Sequence, residues 1–335
     1  MTKNVTIRDI AREAGVSIAL VSFVMNNRIE ADGKKKYRVS EATKERILDV
    51  ARRMNYQPSS AARMLRQGRT HVLGIILSDM ANIFYGILAK EFERIAHQHG
   101  YTVLFGSTEE DPERFDALVK SFLEKDVEGF IVVPAHGSDA GMKRLQASGR
   151  PFVVIDRYSK DYTVPYVLVD NEEAMEQAVK ALRSQGATRI GMVSYSMRIT
   201  SMTDRENSFA ALAGPESPIY HLSFNSVDKD AEKAVDDILA RGIDGIITAS
   251  NVPSVSIIKA LIRRGVQIQK DIRIVGFDYS NVYDIFSPRI SHVQQPLPQI
   301  ASTSGEYLFR LIDLNEKGED ISQITEKIIL KAKLI

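Results

Sequence analysis

Polar and charged residues recur at one kind of place in this 335-residue chain, just beyond short apolar runs. Ser78-Asp79 follows VLGIIL, Asp156-Arg157 follows FVVI, and Tyr195-Ser196 closes IGMVSY. Ser250-Asn251 follows GIITA, and Asp278-Tyr279 follows IVGF. Carboxylates, guanidinium groups and hydroxyls held at such points can hydrogen-bond a small polar ligand from several sides. They do not spell out a catalytic arrangement. There is no cysteine, which removes disulfides, thiolate zinc sites and a cysteine nucleophile. The six histidines form no His-Glu-x-x-His or other close metal spacing. The first apolar run is followed by SDMANIFYG, not by a G-x-G-x-x-G turn, and no G-x-x-x-x-G-K-[ST] loop occurs. A ligand-binding protein without cofactor, metal or catalytic residues is therefore expected, rather than a dinucleotide-dependent enzyme.

The elements that would position these residues alternate. Apolar runs at VLGIIL, TVLFGS, GFIVVP, PFVVID, YVLVD, RIGMVSY, IYHLSF, GIITAS and IRIVGFD are interleaved with amphipathic stretches. Those stretches span 89–99, 114–125, 172–185, 229–240 and 254–264. Alternation of this kind predicts parallel sheets covered on both faces, with ligands beyond the carboxyl ends of the strands. About five strands precede Asp170 and four or more follow. That is too many for one compact sheet, so two α/β lobes with a cleft between them are expected.

The first seventy residues have a different texture. They carry 15 Lys and Arg against 7 Asp and Glu, a net charge of +8, whereas the rest of the chain carries 29 against 36, a net −7. A basic head on an acidic body implies a polyanionic partner for the head alone. Within it, Thr6 can cap a helix with Asp9 three residues on, and Ile7, Ile10, Ala11 and Ala14 share a face. Gly15 suits the left-handed end of that helix. Ser17 can cap a second helix bearing Leu20, Val21 and Val24. Ser40 can cap a third, with Ile47, Val50, Ala51 and Met54 inward. Two short helices joined by so tight a turn have helix-turn-helix spacing, with small Ala11 at their contact. Ser17, Ile18 and Ala19 would then face base edges, with Ser22 and Asn26 on a similar side. A small structural bundle is the plain alternative, which the concentrated positive charge disfavours. Pro58 stops the third helix, and a short helix over 61–67 ends at Gly68. It is too short to persist alone.

In this order, TIRDIAREAGVS, VSFVMNN, NYQPSSAARML, LGIILSDMANIFY, VVIDR, VDNEEA and IVGFD resemble the lac-repressor family of transcription regulators, over nearly the whole chain. The resemblance implies a homodimer with a helix-turn-helix head (1–57), a hinge helix and linker (58–70) and a two-lobed core like periplasmic sugar-binding proteins (71–335). The first lobe would comprise about 71–165 and 296–322, the second about 166–295 and 323–335. It implies a near-palindromic double-stranded DNA operator and a small-molecule effector, carbohydrate by family, that alters operator affinity from the cleft.

Residue by residue, the resemblance places Ser17, Ile18, Ala19, Ser22 and Phe23 on the recognition helix. Thr6, Asn26 and Tyr56 join them at the DNA, the last two at phosphates. Leu65, beside Ala62, matches a leucine that wedges into the minor groove. In the core, Asn82, Phe84, Tyr85, Asp156, Arg157, Arg205, Asn251 and Asp278 match positions facing the effector. Each has a plainer alternative. Asp278 could cap a turn, Asn251 a helix, Arg205 could lie on a helix surface, Phe84 and Tyr85 in the core, and Leu65 between hinge helices. The chain departs from the family at Phe23, usually polar; at the long loop carrying Lys34–Lys36, which could add phosphate contacts; at Ser208, where Gly is common; and at Val252, where an acidic residue is common. The stretch 213–217 is short. After KIILKAKLI no heptad tail follows, so tetramers are not expected. The opening MTKNVTIRD has no apolar run of a secretory signal, and a cytoplasmic protein is expected; a transport-type binding protein would carry such a signal and no basic head.

Overall fold

In a computed structural model of the chain, residues 5–25, 39–56, 68–158 and 162–335 are described. The chain forms two compact units, dividing at Thr70 and His71. The fold is α/β: a helical head, then a two-lobed core of mostly parallel sheets.

The head unit contains α1 (Ile7–Ala14), α2 (Ile18–Met25) and α3 (Glu41–Arg53). Its boundaries follow local chemistry. The Thr6 backbone N–H and hydroxyl both donate to the Asp9 carboxylate, at 3.0 and 2.7 Å. This satisfies the entry to α1 and sets a negative charge on its positive end. Gly15 ends α1 at φ +64°, a conformation that costs other residues energy. The Ser17 hydroxyl accepts the Leu20 N–H, and Ser40 accepts the Thr43 N–H. Ile10, Ala11, Ala14, Val21, Ile47, Val50 and Ala51 make the shared core. Three helices of 8, 8 and 13 residues thus bury together what none could bury alone. The expected hinge helix lies outside the described residues.

The core unit holds two six-stranded sheets. The first runs β11-β5-β4-β3-β1-β2 and the second β12-β10-β9-β8-β6-β7. The strands are β1 (Val72–Leu77), β2 (Thr102–Ser107), β3 (Gly129–Val132), β4 (Phe152–Ile155), β5 (Tyr166–Val169), β6 (Ile190–Tyr195), β7 (Ile219–Leu222), β8 (Gly245–Thr248), β9 (Arg273–Phe277), β10 (Ser291–Gln294), β11 (Lys327–Leu330) and β12 (Lys333–Leu334). The pairings are parallel except β10 with β12. The central strands β3, β6 and β8 are buried along their whole length, as sheets covered on both faces require. The covering helices are α4 (Ile83–Gln98), α5 (Pro112–Glu124), α6 (Asp139–Ala147), α7 (Asn171–Ser184), α8 (Thr200–Ala213), α9 (Val227–Ala240), α10 (Asn251–Arg263) and α11 (Leu297–Glu316). Among the described residues, no helix is long and apolar enough to cross a membrane.

The expected lobe boundaries need correcting. Tyr166–Val169 belongs to the first sheet, not the second lobe, because it pairs in parallel with both Val154–Ile155 and Lys327–Leu330. That pairing also brings β11 into the first lobe, and only β12 continues into the second. The chain therefore crosses between lobes three times: at Asp170, at Gln295-Pro296 and at Lys331-Ala332. The amphipathic stretches gave no bounds for helices α6, α8 and α11. Helix α4 begins at Ile83, six residues earlier than the apolar pattern suggests, because the Asn82 side chain caps it by accepting the Phe84 N–H.

Candidate functional site

The carboxyl ends of the strands from both lobes converge on a cavity of about 170 Å³. From the first lobe it is lined by Ser78, Asp79, Asn82, Phe84, Tyr85, Glu110, Asp156 and Arg157. From the second come Tyr195, Met197, Ile199, Ser201, Met202, Arg205, Phe224, Val227, Ser250, Val252 and Asp278. The expected residues are thus brought together, with one exception. Asn251 borders a wider outer groove, of about 610 Å³, that adjoins the cavity.

Two aspartates enter by the same device. Asp156 ends β4 at φ +66° and Asp278 ends β9 at φ +63°. Glu110, beyond β2, is also left-handed, at φ +61°. Non-glycine residues in this conformation are strained, and such strain collects where a side chain must be aimed. In the first lobe the result is a closed ionic ring around Arg157, which is only 5% exposed. Its Nη1 donates to both Glu110 oxygens, at 2.8 and 2.9 Å, its Nε to Asp156 at 3.0 Å, and its Nη2 to the Tyr85 hydroxyl at 2.9 Å. The Tyr85 hydroxyl in turn donates to Asp156 at 3.0 Å. Ser78 donates to Glu110. Burial opposes the Arg157 charge, but the Tyr85 oxygen, Glu110 and Asp156 more than offset it and hold the group protonated. Burial also pushes the Tyr85 hydroxyl well up, so it stays a neutral donor.

The second lobe contributes Arg205, fully buried on α8. Its Nε donates to Asn171 Oδ1 at 2.8 Å and its Nη1 to the Ala249 carbonyl at 2.7 Å. Its guanidinium lies 3.7 Å above the Phe277 ring. Burial lowers its pKa, against the pull of Asp278 and Asp156. Asp278 accepts a hydrogen bond from Gln295 Nε2 at 2.8 Å, and Gln295 sits at the second interlobe crossing. Burial raises the Asp278 pKa to about 6, against the attraction of Arg205 and the Gln295 bond.

Phe84 and Tyr85 meet edge to face at 4.9 Å and form an aromatic wall, with Tyr195 and Phe224 facing from the other lobe. Asn82 and Asn251 bond each other across the cleft. Asn251 Nδ2 donates to Asn82 Oδ1 at 2.8 Å, and Asn82 Nδ2 returns a bond at 3.2 Å. Asn251 does not cap its helix; Ser250 holds the cap position. Val252 lines the cavity, so the polar contact of an acidic residue there is replaced by apolar surface. The Ser208 hydroxyl turns back to the Asp204 carbonyl of its own helix.

Glu110 is the main residue that sequence reasoning missed. The same rule that finds Asp156 and Asp278 applies to TEED after TVLFGS, where no strand end was considered. Ser201 and Met202, in the first turn of helix α8, were also missed.

In the head, Ile18 is 45% exposed and Ser17 and Ala19 are exposed beside it at the start of α2. Ser22 is half-buried. Phe23 and Tyr56 pack against the head core, which accounts for an apolar residue at position 23. The Thr6 hydroxyl is engaged with Asp9. Asn26, Lys34–Lys36, Ala62 and Leu65 lie outside the described residues.

Residues 6–59 match bacterial regulatory proteins of the lacI family, and residues 73–283 match a periplasmic binding protein domain. The chain is 31% identical over 322 residues to the sucrose operon repressor of Klebsiella pneumoniae, covering 93% of each chain. It is 29% identical over 331 residues to the ribose operon repressor of Halalkalibacterium halodurans, covering 97% of this chain and 96% of the other. Among solved structures, the lac repressor dimer bound to operator and the anti-inducer ONPF is similar with a TM-score of 0.82 at 20% identity, covering 99% of this chain and 98% of that one.

Proposed function

The chain belongs to the lacI family of bacterial regulatory proteins and is a DNA-binding transcription regulator, not an enzyme; from that premise we propose that it is a homodimeric repressor whose operator affinity is set by a sugar held between its core lobes. One observation carries the effector half of this reading. The cavity is walled by aromatic rings and ringed by carboxylates and guanidinium groups aimed inward from both lobes. A sugar offers such a site hydroxyls for the charged groups and an apolar face for the rings. Asp278, Arg205 and Asp156 are the polar contacts, with Tyr85 and Phe84 as the aromatic side. Asn82 and Asn251 act through each other, holding the lobes together at the mouth. An effector that prefers one lobe arrangement shifts the equilibrium toward it and no further.

The DNA half rests on the charge of the head and the exposed start of α2. Ser17, Ile18 and Ala19 would read base edges in the major groove, with Ser22 beside them. Thr6 and Tyr56 would stand at the phosphates. Phe23 supports the helix from below. The parts assigned to Asn26, Ala62 and Leu65 rest on the family motif. A two-fold dimer requires a near-palindromic operator.

Two measurements on the full-length protein test the reading. Selection of bound DNA from a random pool should return paired, inverted half-sites; single unrepeated half-sites would refute the dimeric mode. Melting in the presence of a sugar panel should show stabilisation by at least one member, since a ligand bound only to the folded state raises the transition temperature. The same sugar should change operator affinity.

A further inference from the structure

Resting on that reading of the cleft, we infer that the cavity takes a sugar in its unphosphorylated form and rejects sugar phosphates and sugar acids. The ground is the charge inventory of the cavity wall. Four carboxylates line it, Asp79, Glu110, Asp156 and Asp278, against two guanidinium groups, Arg157 and Arg205. No lysine or histidine lines it among the described residues.

Neither cation stands free of protein partners. Arg157 spends its guanidinium on Glu110, Asp156 and Tyr85. Arg205 donates to Asn171 and the Ala249 carbonyl, lies flat on Phe277, and sits in the field of Asp278. A phosphate would have to displace one of these carboxylates, leaving it buried without its partner, or enter a wall already in negative surplus.

Helices α8, α9 and α10 begin at this wall, with Ser201, Val227 and Val252 in their first turns. Each contributes at most about half a positive charge at its end, fading within a turn. Their partial charges suit the lone pairs of hydroxyl oxygens. They are outweighed by two surplus full charges when the incoming group is a dianion. The wider outer groove carries Lys229 and Lys259 against Asp228, with Lys259 Nζ 3.9 Å from the Asp228 carboxylate. An anion held there would lie outside the cavity.

The inference sets the regulator's place in a reaction sequence. Its signal must be supplied by hydrolysis of a glycosidic bond or by uptake that leaves the sugar unmodified. Phosphoryl transfer onto the sugar would consume the signal.

The test is a melting and titration series on the full-length protein with matched pairs: ribose and ribose 5-phosphate, fructose and fructose 6-phosphate, glucose and glucose 6-phosphate, and glucosamine and glucosamine 6-phosphate. The expected result is that one free sugar or the amino sugar binds, and its phosphate binds at least about a hundredfold more weakly at low salt, a gap that narrows as salt rises. Asp79 is only half-buried and bonds within its own turn, to the Ala81 N–H, so Asp79→Asn should fold and should narrow the gap. Glu110→Gln should narrow it further by freeing Arg157, read as a gain in phosphate binding. A phosphate that binds as tightly as its free sugar, or a gap unmoved by salt and by both variants, overturns the inference while leaving the sugar reading intact. Failure of every member of the panel, charged and uncharged, overturns the sugar reading and this inference with it.

Discussion

Asp278→Asn should change how the stability of the protein depends on pH. The Asp278 carboxyl is buried, and its pKa rises from 3.8 to about 6. The folded state therefore holds the proton over a range where the unfolded chain has lost it. The stabilisation is complete below pH 3.8 and is lost as the pH rises through about 6. At about 1.36 kcal/mol per pH unit, ionising this group costs the folded protein about 1.6 kcal/mol at pH 5 and about 3 kcal/mol at pH 8. Asparagine cannot ionise and can still accept the Gln295 bond, so the variant escapes that cost. The attraction to Arg205 acts only on the ionised carboxylate and is already contained in that pKa, so it adds no separate term. The assay is urea unfolding of both proteins without ligand at pH 5, 6, 7 and 8. The variant should gain about 1.4 kcal/mol on the parent between pH 5 and pH 8, whatever their offset at any one pH. Parallel curves would refute the reasoning, since they would mean that Asp278 is hydrated or firmly paired in the folded state. The same variant should lose the response of operator binding to sugar, because the charged acceptor is gone.

Asn251→Ala removes the reciprocal amide pair across the cleft while leaving Asn82 to cap α4; it should cost about 1–2 kcal/mol and speed hydrogen exchange at the starts of α4 and α10, and unchanged exchange at both would show that the pair does not hold the lobes. Ile10→Ala empties the centre of the small head core and should cost about 2–5 kcal/mol there, abolishing operator binding while sugar binding persists; a parallel loss of sugar binding would mean that the two units do not fold separately. Operator affinity should fall steeply with salt. A log–log slope shallower than about −3 would mean that no more than about three phosphates are neutralised, too few for the charge of the head.

Residue patterns carried far where the cause is local. Asp9 behind Thr6, Gly15 at a helix end and Ser40 before a helix name the boundaries of the head because each acts within four residues of itself. The alternation of apolar runs with amphipathic stretches announces parallel sheets, since the central strands are buried on both sides. Strand-end chemistry points to Asp156, Arg157 and Asp278 for the same reason: the carboxyl end of a strand in such a sheet opens on the cleft. The extent of helix α8 stayed hidden because its inward face carries Ser201 and Arg205, so the periodic apolar stripe that betrays a covering helix is broken where the helix meets the cavity.

The rest was decided by pairings far apart in sequence. Tyr166–Val169 joins the first lobe because Lys327–Leu330 lies beside it, and no pattern within either segment says so. Asn82 and Asn251, 169 residues apart, become one another's partners only when two lobes close. Glu110 lies 47 residues from Arg157 yet neutralises it. The sequence by itself determined which residues cap helices, which strands are buried and which strand ends carry charge, because those depend on neighbours within a turn or a pleat. Tertiary structure alone decided which charges cancel and which remain to meet a ligand, because electrostatic energy depends on distance and burial, and the chain brings remote residues within 3 Å only when both sheets are complete.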